Sequence, residues 1–275
     1  MTPMLQAVIL DVDGTLADTE ETHRQAFNTA FRMHSLDWVW SDAGYADLLH
    51  VTGGKERIAH YIDSLDIAPA SKARLIGMIP RIHRTKTSLF AEFMRFGRLQ
   101  PRPGIQRLID EARANGIRVA IASTTSAANV DALITTIFGA IFGASFGRDA
   151  LQWFSVIATG DVVARKKPAP DIYRLALDGL GLAPWQAIAI EDSQIGVQAA
   201  TAAGLVTIAT PTRWTAAQNF DAANLVLASL GDPDDPLAAR DARRIGANYL
   251  GMQQLAALHS TAANLPQQQA LRATS

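Results

Sequence analysis

Short apolar runs alternate with helical segments along this chain. The runs are rich in Val, Ile and Ala and have almost no polar alternation, which is typical of strands buried on both faces. Because these strands alternate with helices, the pattern predicts an α/β fold with a parallel sheet and helices on both faces. The predicted strands are Ala7–Leu10, Ile117–Ala122, Val156–Ala158, Ala187–Ile190, Val206–Ala209 and Leu225–Leu227.

Residues 18–99 break this alternation, because they carry helical periodicity and almost no strand signal. The periodic positions form three groups, which are Phe27, Ala30, Phe31 and His34; Ile58, Ile62 and Leu65; and Ile82, Leu89, Phe93 and Phe96. Asp18 and Glu21 are placed to cap the first helix, and Pro80 lies near the predicted start of the third. We interpret this segment as a small, all-helical cap.

The remaining chain divides into a core and a tail. Residues 1–17 and 100–258 are assigned to the core, so the cap is an insertion. Residues 259–275 are mostly Gln, Ala, Thr and Ser with little periodicity, and this predicts a disordered tail. The stretch Ala140–Arg148 contains glycines spaced four apart and predicts an irregular connection without an assigned role.

The composition narrows the class of protein. A chain of 275 residues with 48% apolar residues and a net charge of −1 is an ordinary soluble globular protein. The lack of a basic excess argues against a nucleic-acid partner, and the lack of cysteine excludes disulfides and thiol catalysis. We see no signal peptide and no membrane-spanning stretch, and we expect a cytoplasmic protein. The lack of an exposed apolar stripe favours a monomer.

Two aspartates, Asp11 and Asp13, follow the first predicted strand. Residues two apart in a strand point the same way, and two buried carboxylates repel each other unless a cation offsets them. Mg²⁺, which prefers oxygen ligands, is the natural candidate. A calcium loop is the alternative, but its series of oxygen ligands would stop at Leu16 and Ala17.

Polar residues follow three other predicted strands, at the edge where open parallel sheets bind ligands. The hydroxyls and free amides of Ser123–Ser126 can hold a phosphate oxygen, or they simply cap the next helix. Lys167 supplies a compact cation, and we favour it over Lys166, although a solvated basic loop is the alternative. Glu191–Asp192 is a second acidic pair that can surround one Mg²⁺ together with the first pair, or can cap a helix.

Four polar segments therefore follow predicted strands, namely Asp11 with Asp13, Ser123–Ser126, Lys167 and Glu191–Asp192. In their order along the chain and their position at strand ends, they resemble the motifs of the haloacid dehalogenase (HAD) superfamily, and the resemblance extends to about Leu230. The resemblance implies a Rossmann-like core with a helical cap, in which Asp11 is a nucleophile that becomes phosphorylated. Asp13 is then a general acid/base with a raised pKa, and Ser123 and Lys167 offset the charge of the phosphoryl group. The implied cofactor is Mg²⁺, and its implied ligands are Asp11, Asp13 through its backbone carbonyl, Asp192 and Glu191.

Two basic clusters lie in the predicted cap. Thr52–Arg57 places two glycines before Lys and Arg, and His83–Lys86 places three potential cations within one helical turn. A single small phosphate needs few of these cations, so the clusters suggest a second anionic group on the substrate. Solvated helix faces are the alternative interpretation.

The chain is similar to the CbbY family in six segments, which are Thr52–Arg57, His83–Thr87, Arg102–Gly104, Ser123–Ser126, Gly160–Val163 and Lys166–Tyr173. The resemblance implies hydrolysis of the sugar bisphosphate xylulose-1,5-bisphosphate, a Rubisco inhibitor, and a role beside the Calvin cycle. The implied substrate-binding residues are Asp18, His23, Thr52, Gly53, Gly54, Lys55, Arg57, His83, Arg84, Lys86, Ser123, Thr124, Thr125, Asn129 and Lys167. The family usually has Glu where this chain has Asp18, so the reach at that position differs.

Four other activities are alternatives. A β-phosphoglucomutase-like isomerase would share the core motifs, and a broad-specificity sugar phosphatase would share the mechanism. Carbon–halogen hydrolysis needs no second aspartate, so Asp13 and Asp192 argue against it. A phosphosugar-binding protein without activity would not need the intact set of Asp11, Asp13, Lys167 and Asp192.

Overall fold

The computed structural model describes residues 4–96, 99–142 and 149–273. Its strands are β1 (Ala7–Leu10), β2 (Arg118–Ala122), β3 (Phe154–Ala158), β4 (Ala187–Glu191), β5 (Val206–Ala209) and β6 (Leu225–Val226). They form one parallel sheet in the order β3-β2-β1-β4-β5-β6. The six predicted strands are all present, and the predicted α/β fold with a parallel sheet is confirmed.

Strand β1 lies inside the sheet and pairs along its whole length with β2 on one side and β4 on the other. Val8 and Leu10 point into one hydrophobic cluster, and Ala7 and Ile9 point into the other. Burial on both faces explains why this strand has no polar alternation. The residue that follows it, Asp11, therefore lies at the carboxyl edge of the sheet, between two neighbouring strand ends.

Ten helices accompany the sheet within the described residues. They are α1 (Glu20–Met33), α2 (Asp42–Leu48), α3 (Gly54–Ser64), α4 (Pro69–Phe96), α5 (Ile105–Ala114), α6 (Ala127–Phe142), α7 (Asp171–Leu180), α8 (Gln194–Ala202), α9 (Ala239–Ile245) and α10 (Met252–Ala273). Helices α5, α6 and α10 pack on one face of the sheet, and α7 and α8 pack on the other.

Helices α1 to α4 share a third hydrophobic cluster, which supports the interpretation of residues 18–99 as a cap. Helix α4 contains Pro80 in its interior, so the prediction that a helix starts near this proline is wrong. Leu75 and Ile79 before the proline and Ile82 after it are buried in the cluster. Packing of this face therefore outweighs the hydrogen bond that proline cannot donate.

Two further predictions about the ends of elements are corrected. Thr19, not Asp18, precedes the first residue of α1, and the Asp18 side chain is exposed. Helix α10 continues to Ala273, so the predicted tail does not start at residue 259, and His259 is buried with Nε2 at 2.8 Å from the carbonyl oxygen of Trp185. Ala and Gln favour helices, and low complexity therefore did not prevent one here.

The predicted irregular connection Ala140–Arg148 lies outside the described residues, except for its first three residues, which end α6. Throughout the part of the chain that the structure describes, no helix has the length and apolar character needed to cross a membrane.

Candidate active site

Asp11 faces Lys167 at the carboxyl end of β1. The Lys167 ammonium lies 2.5 Å from Oδ1 of Asp11 and 2.5 Å from Oε1 of Glu191, and it donates to the carbonyl of Ala122 at 3.0 Å. All three charged side chains are buried. Burial opposes the charge of Lys167, but Asp11 and Glu191 outweigh it and raise the pKa of Lys167 above its usual range. Lys167 is therefore a fixed cation between two strand ends.

Glu191 is held by donors on both of its oxygens. Oε1 accepts from Lys167 and from the Tyr173 hydroxyl at 2.6 Å, and Oε2 accepts from the amide of Asp192 and the hydroxyl of Ser193, both at 3.2 Å. A carboxylate with this many partners has little capacity left for a further ligand. The arrangement fits Glu191 best as the group that orients Lys167, beside the residues that would touch a metal.

Asp11, Glu191 and Asp192 each offer a carboxylate oxygen, and these atoms all lie within 4.8 Å of one another. Burial and the charges of Glu191 and Asp11 raise the pKa of Asp192 well above its usual range, and burial is also the largest cause that raises the pKa of Asp11. Three buried carboxylates beside one lysine leave an excess of negative charge, which a hard divalent cation would offset. The residues therefore fit Mg²⁺.

Gly14 allows this close approach of Asp192. Its φ is +85°, a conformation that favours glycine, and a Cβ at this position would overlap the Asp192 carboxylate. The glycine that follows the Asp-x-Asp pair is therefore required by both backbone conformation and space.

The Asp13 side chain turns away from the carboxylate group towards the cap. Its Oδ1 accepts from the Thr19 hydroxyl at 2.7 Å and lies 3.0 Å from Nε2 of His23. Burial alone would raise the pKa of Asp13, but the His23 ring and the hydrogen bonds from His23 and Thr19 lower it to about 2. The expectation of a raised pKa is therefore wrong for this arrangement, because the cap supplies partners that favour the carboxylate.

Lys86 of α4 is buried behind His23. Its Nζ lies 2.6 Å from Nδ1 of His23 and 4.8 Å from the ring centroids of both Phe27 and Phe90. The Phe90 ring also stacks on His23 at 3.9 Å between centroids. Burial, then Arg57, lowers the pKa of Lys86 to about 7, while Asp13 and Glu20 oppose this effect.

Ser123 and the turn after it form the wall beside Asp11. The amide of Ser123 bonds to the carbonyl of Ala158, and its hydroxyl oxygen accepts from the amide of Thr125 at 3.2 Å. The hydroxyl hydrogen of Ser123 remains able to donate to a ligand. Asn129, one turn into α6, holds the Thr125 hydroxyl at 3.2 Å.

The cap and the core enclose a cavity of about 200 Å³ between them. Pockets of about 300–1,000 Å³ bind drug-sized molecules, and this smaller cavity suits a small ligand. Every residue that the sequence predicted to bind substrate lines this cavity, except Asp18 and Arg84. Gly54 permits the close approach of α3, since a Cβ there would lie 2.6 Å from Nε2 of His83.

Asp18 and Arg84 are exposed and do not line the cavity, so their contact with substrate stays a prediction. Adjacent residues on a helix are rotated by about 100°, so Arg84 points away from the face that His83 and Lys86 share. Glu20, which the sequence analysis missed, is buried at the cavity instead. The sequence contained a signal for this residue, because Glu20, His23 and Phe27 are spaced three and four residues apart and therefore lie on one face of α1.

Two further polar groups, one from the cap and one from the core, hold residues of this side of the cavity. The Tyr45 hydroxyl donates to Oε2 of Glu20 at 2.7 Å and accepts from Arg57 at 2.9 Å. Lys166, which the sequence ranked below Lys167, pairs with Glu56 of α3 at 2.7 Å and lies at the rim. The cavity thus combines a nucleophile-like carboxylate, fixed cations and hydrogen-bonding groups from both parts of the chain.

Comparison with known proteins agrees with this geometry. The model of the haloacid dehalogenase-like hydrolase family matches residues 5–204. Protein CbbY of Rhodobacter capsulatus is 48% identical over 220 residues, which is 80% of this chain and 91% of that protein. Protein CbbY of Cupriavidus necator is 46% identical over 233 residues, which is 85% of this chain and 89% of that protein.

Solved structures give the same answer. Crystal structures of CbbY from Rhodobacter sphaeroides, one with phosphate and one of an Asp-to-Asn variant with xylulose-1,5-bisphosphate, each match with a TM-score of 0.71 and 46% identity, over 82% of this chain and 95% of that chain. The fold is also shared with β-phosphoglucomutase from Clostridium difficile, at a TM-score of 0.62 and 22% identity. This chain therefore belongs to the haloacid dehalogenase-like hydrolases and, among them, to the CbbY family, and it is an enzyme of the phosphatase class.

Proposed function

We propose that this enzyme is a Mg²⁺-dependent sugar phosphatase that hydrolyses xylulose-1,5-bisphosphate to xylulose 5-phosphate and phosphate. The observation that carries the proposal is the cavity of about 200 Å³. Asp11 and Lys167 line it on the core side, and the basic residues of α3 and α4 line it on the cap side. The binding of this bisphosphate by a CbbY protein that is 46% identical supports the choice of substrate.

The charges of the cavity suit a ligand with two phosphates. On the core side, Lys167 and the Ser123 turn would bind the phosphate that is cleaved. On the cap side, Lys55 and Arg57 line the same cavity and would bind the distant phosphate. An ion with one phosphate would leave one of these two groups without an anionic partner.

Asp11 is proposed to attack the phosphorus atom in line and to form an aspartyl phosphate, while the bond to the sugar oxygen breaks. Lys167 and the Ser123 hydroxyl would offset the charge on the other phosphoryl oxygens. Mg²⁺ held by Asp11, Asp192 and the Asp13 backbone would supply Lewis-acid stabilisation and favour the ionised form of Asp11. Glu191 would act through Lys167, which it orients.

Asp13 is proposed to move the proton in both half-reactions. It would protonate the leaving sugar oxygen and later take a proton from the water that attacks the aspartyl phosphate. Without substrate its pKa is lowered to about 2, after His23 and the Thr19 hydrogen bond outweigh burial. A phosphate dianion bound beside it would raise this pKa, because like charges disfavour the carboxylate.

Phosphate release measured with Mg²⁺ over a panel of sugar phosphates tests the proposal. The panel contains xylulose-1,5-bisphosphate, ribulose-1,5-bisphosphate, xylulose 5-phosphate and β-glucose 1-phosphate with its bisphosphate activator. We expect a kcat/KM for xylulose-1,5-bisphosphate that exceeds the others by about 100-fold, since the monophosphates lack the second anionic group and ribulose-1,5-bisphosphate differs in the configuration of one hydroxyl. Asp11→Asn should abolish turnover and retain substrate binding.

Three outcomes would contradict the proposal in different ways. A flat profile over the panel would indicate a broad-specificity sugar phosphatase. Formation of glucose 6-phosphate without net release of phosphate would indicate a β-phosphoglucomutase-like isomerase. Turnover by Asp11→Asn near the wild-type rate would reject the aspartyl-phosphate mechanism itself.

A further inference from the structure

One side chain of the core lies inside the hydrophobic cluster of the cap. Trp214, in the loop after β5, is 6% exposed and belongs to this cluster, whose other buried members all lie between Phe27 and Ile82. Its ring meets the edge of Tyr45 at 5.6 Å between centroids and an interplanar angle of 87°. This is a favourable aromatic geometry. The contact joins the core to the cap residue whose hydroxyl holds Glu20 and Arg57.

The indole nitrogen of Trp214 shows why the contact depends on shape. Nε1 is buried and has no hydrogen-bond partner among the described residues. An unpaired buried donor is costly, so burial of the ring must be favourable enough to offset it. The packing of Trp214 into the cap is therefore stabilised by apolar contacts with Tyr45 and its neighbours, and not by a hydrogen bond of the indole.

Arg213 extends the same contact to the protein surface. Its guanidinium lies 3.5 Å from Glu21 and 3.5 Å from Asp42, both in the cap, and 4.2 Å from the centroid of the Trp214 ring. These exposed ion pairs are weak, because water and salt screen them. They leave Trp214 as the main core residue at this contact.

The turn that carries Trp214 is held by internal hydrogen bonds and contacts the site. The amide of Thr212 donates to the Thr215 hydroxyl at 3.0 Å, and the amide of Trp214 donates to the Thr212 hydroxyl at 3.1 Å. The Thr215 hydroxyl also lies 3.4 Å from Oδ2 of Asp192 and lines the cavity. Two adjacent residues of one turn therefore contact the cap and the carboxylates of the core.

We propose that Trp214 is a positioning residue that holds the cap at the correct place over the core, so that Glu20 and Arg57, which Tyr45 holds, face the substrate. This inference deepens the proposed function and rests on it. Loss of the ring would leave a cavity beside Tyr45 and let the cap move relative to Asp11. The contacts to the distant part of the substrate would then form less often.

Trp214→Ala tests the inference with two measurements. We expect KM for xylulose-1,5-bisphosphate to rise by about tenfold or more and kcat to fall by a smaller factor, because the binding contacts of the cap are weakened while Asp11 and Lys167 of the core keep their places. Hydrogen–deuterium exchange should increase at the amides of α2, which carries Tyr45, without any substrate present. Trp214→Leu, which keeps more apolar volume, should show both changes to a smaller extent if Trp214→Ala does not fold.

Trp38→Ala is the matched control. Trp38 packs against Phe31 and Tyr61 in the same cluster, is partly buried and does not line the cavity. It should lower thermal stability without raising KM. An unchanged KM in Trp214→Ala, or an equal rise in Trp38→Ala, would overturn the inference. If the wild-type enzyme does not hydrolyse the bisphosphate, the proposed function fails, and unchanged exchange in α2 then overturns the inference separately.

Discussion

The side-chain nitrogen of Lys86 lies 2.6 Å from Nδ1 of His23. When Lys86 carries its proton, the ammonium group can only donate a hydrogen bond, so Nδ1 of a neutral His23 ring accepts this one. The proton of the neutral ring is then on Nε2, which faces Oδ1 of Asp13 at 3.0 Å. Lys86 therefore selects the tautomer of His23 that donates to Asp13.

His23→Ala should lower kcat because Asp13 would lose the partner that orients it. We expect a decrease of about 100-fold, within the range that positioned acid/base groups contribute. Steady-state kinetics at saturating xylulose-1,5-bisphosphate measure this. The control is His34→Ala, which removes a histidine of the same helix region whose ring contacts Thr85 and does not line the cavity. A kcat within about threefold of wild type in His23→Ala would contradict this role of the ring.

Lys86→Met should stabilise the folded enzyme at low pH. Burial, aided by Arg57 and opposed by Asp13 and Glu20, lowers the pKa of Lys86 from 10.5 to about 7 in the folded state. Below this pH both states carry the proton, and the folded state bears the full cost of a buried charge. Between the two values the unfolded state binds more protons, so wild-type stability rises with pH in this window.

Urea unfolding measures this difference. At about pH 6 we expect Lys86→Met to exceed the wild-type free energy of unfolding by about 3 kcal/mol, and the excess should shrink towards about pH 10. The gain in stability should be accompanied by a loss of activity. Lys72→Met, which removes a lysine that donates to the Asp63 carbonyl on the cap surface, is the control and should change little. An excess that does not depend on pH would show that packing of the methionine, and not the charge, is responsible.

Lys167→Met should destabilise the fold as well as abolish turnover. It would leave the carboxylates of Asp11 and Glu191 buried without their cation, which costs about 3–5 kcal/mol for a broken buried pair. Thermal and urea unfolding measure the loss. Lys166→Met is the control, because its partner Glu56 is half exposed and a surface ion pair contributes only about 0–1 kcal/mol. Equal stability of the two variants would contradict the assignment of Lys167 as the buried counter-ion.

Glu20→Gln and Asp18→Asn form a matched pair that compares the structure with the sequence. Glu20 is buried at the cavity, whereas Asp18 is exposed and lies outside it. We expect KM for the bisphosphate to rise by about tenfold in Glu20→Gln and to change by less than about twofold in Asp18→Asn. A larger rise of KM in Asp18→Asn than in Glu20→Gln would support Asp18 as the substrate-binding residue.

Apolar pattern and motif position predict most of the core from the sequence. The six strands were recognisable because burial on both faces leaves continuous apolar runs, and Asp11, Ser123, Lys167 and Asp192 could be located because each follows such a run. These four residues come together because the carboxyl ends of parallel strands lie at the same edge of the sheet. The cap was harder to predict, because the position of a helix face depends on which residues it packs against. For this reason the local pattern did not show that Asp18 and Arg84 are exposed and lie outside the cavity lining.

The protonation of the site was decided by tertiary structure. Local pattern alone predicted a parallel sheet whose strand ends carry two acidic pairs and a lysine, since it fixes which residues leave a buried strand. Only folding brought His23 and Lys86, which are 63 residues apart, to Asp13, and lowered its pKa where a raised value was expected. A pKa depends on burial and on charges within a few ångströms, and these distances arise only when the cap closes on the core.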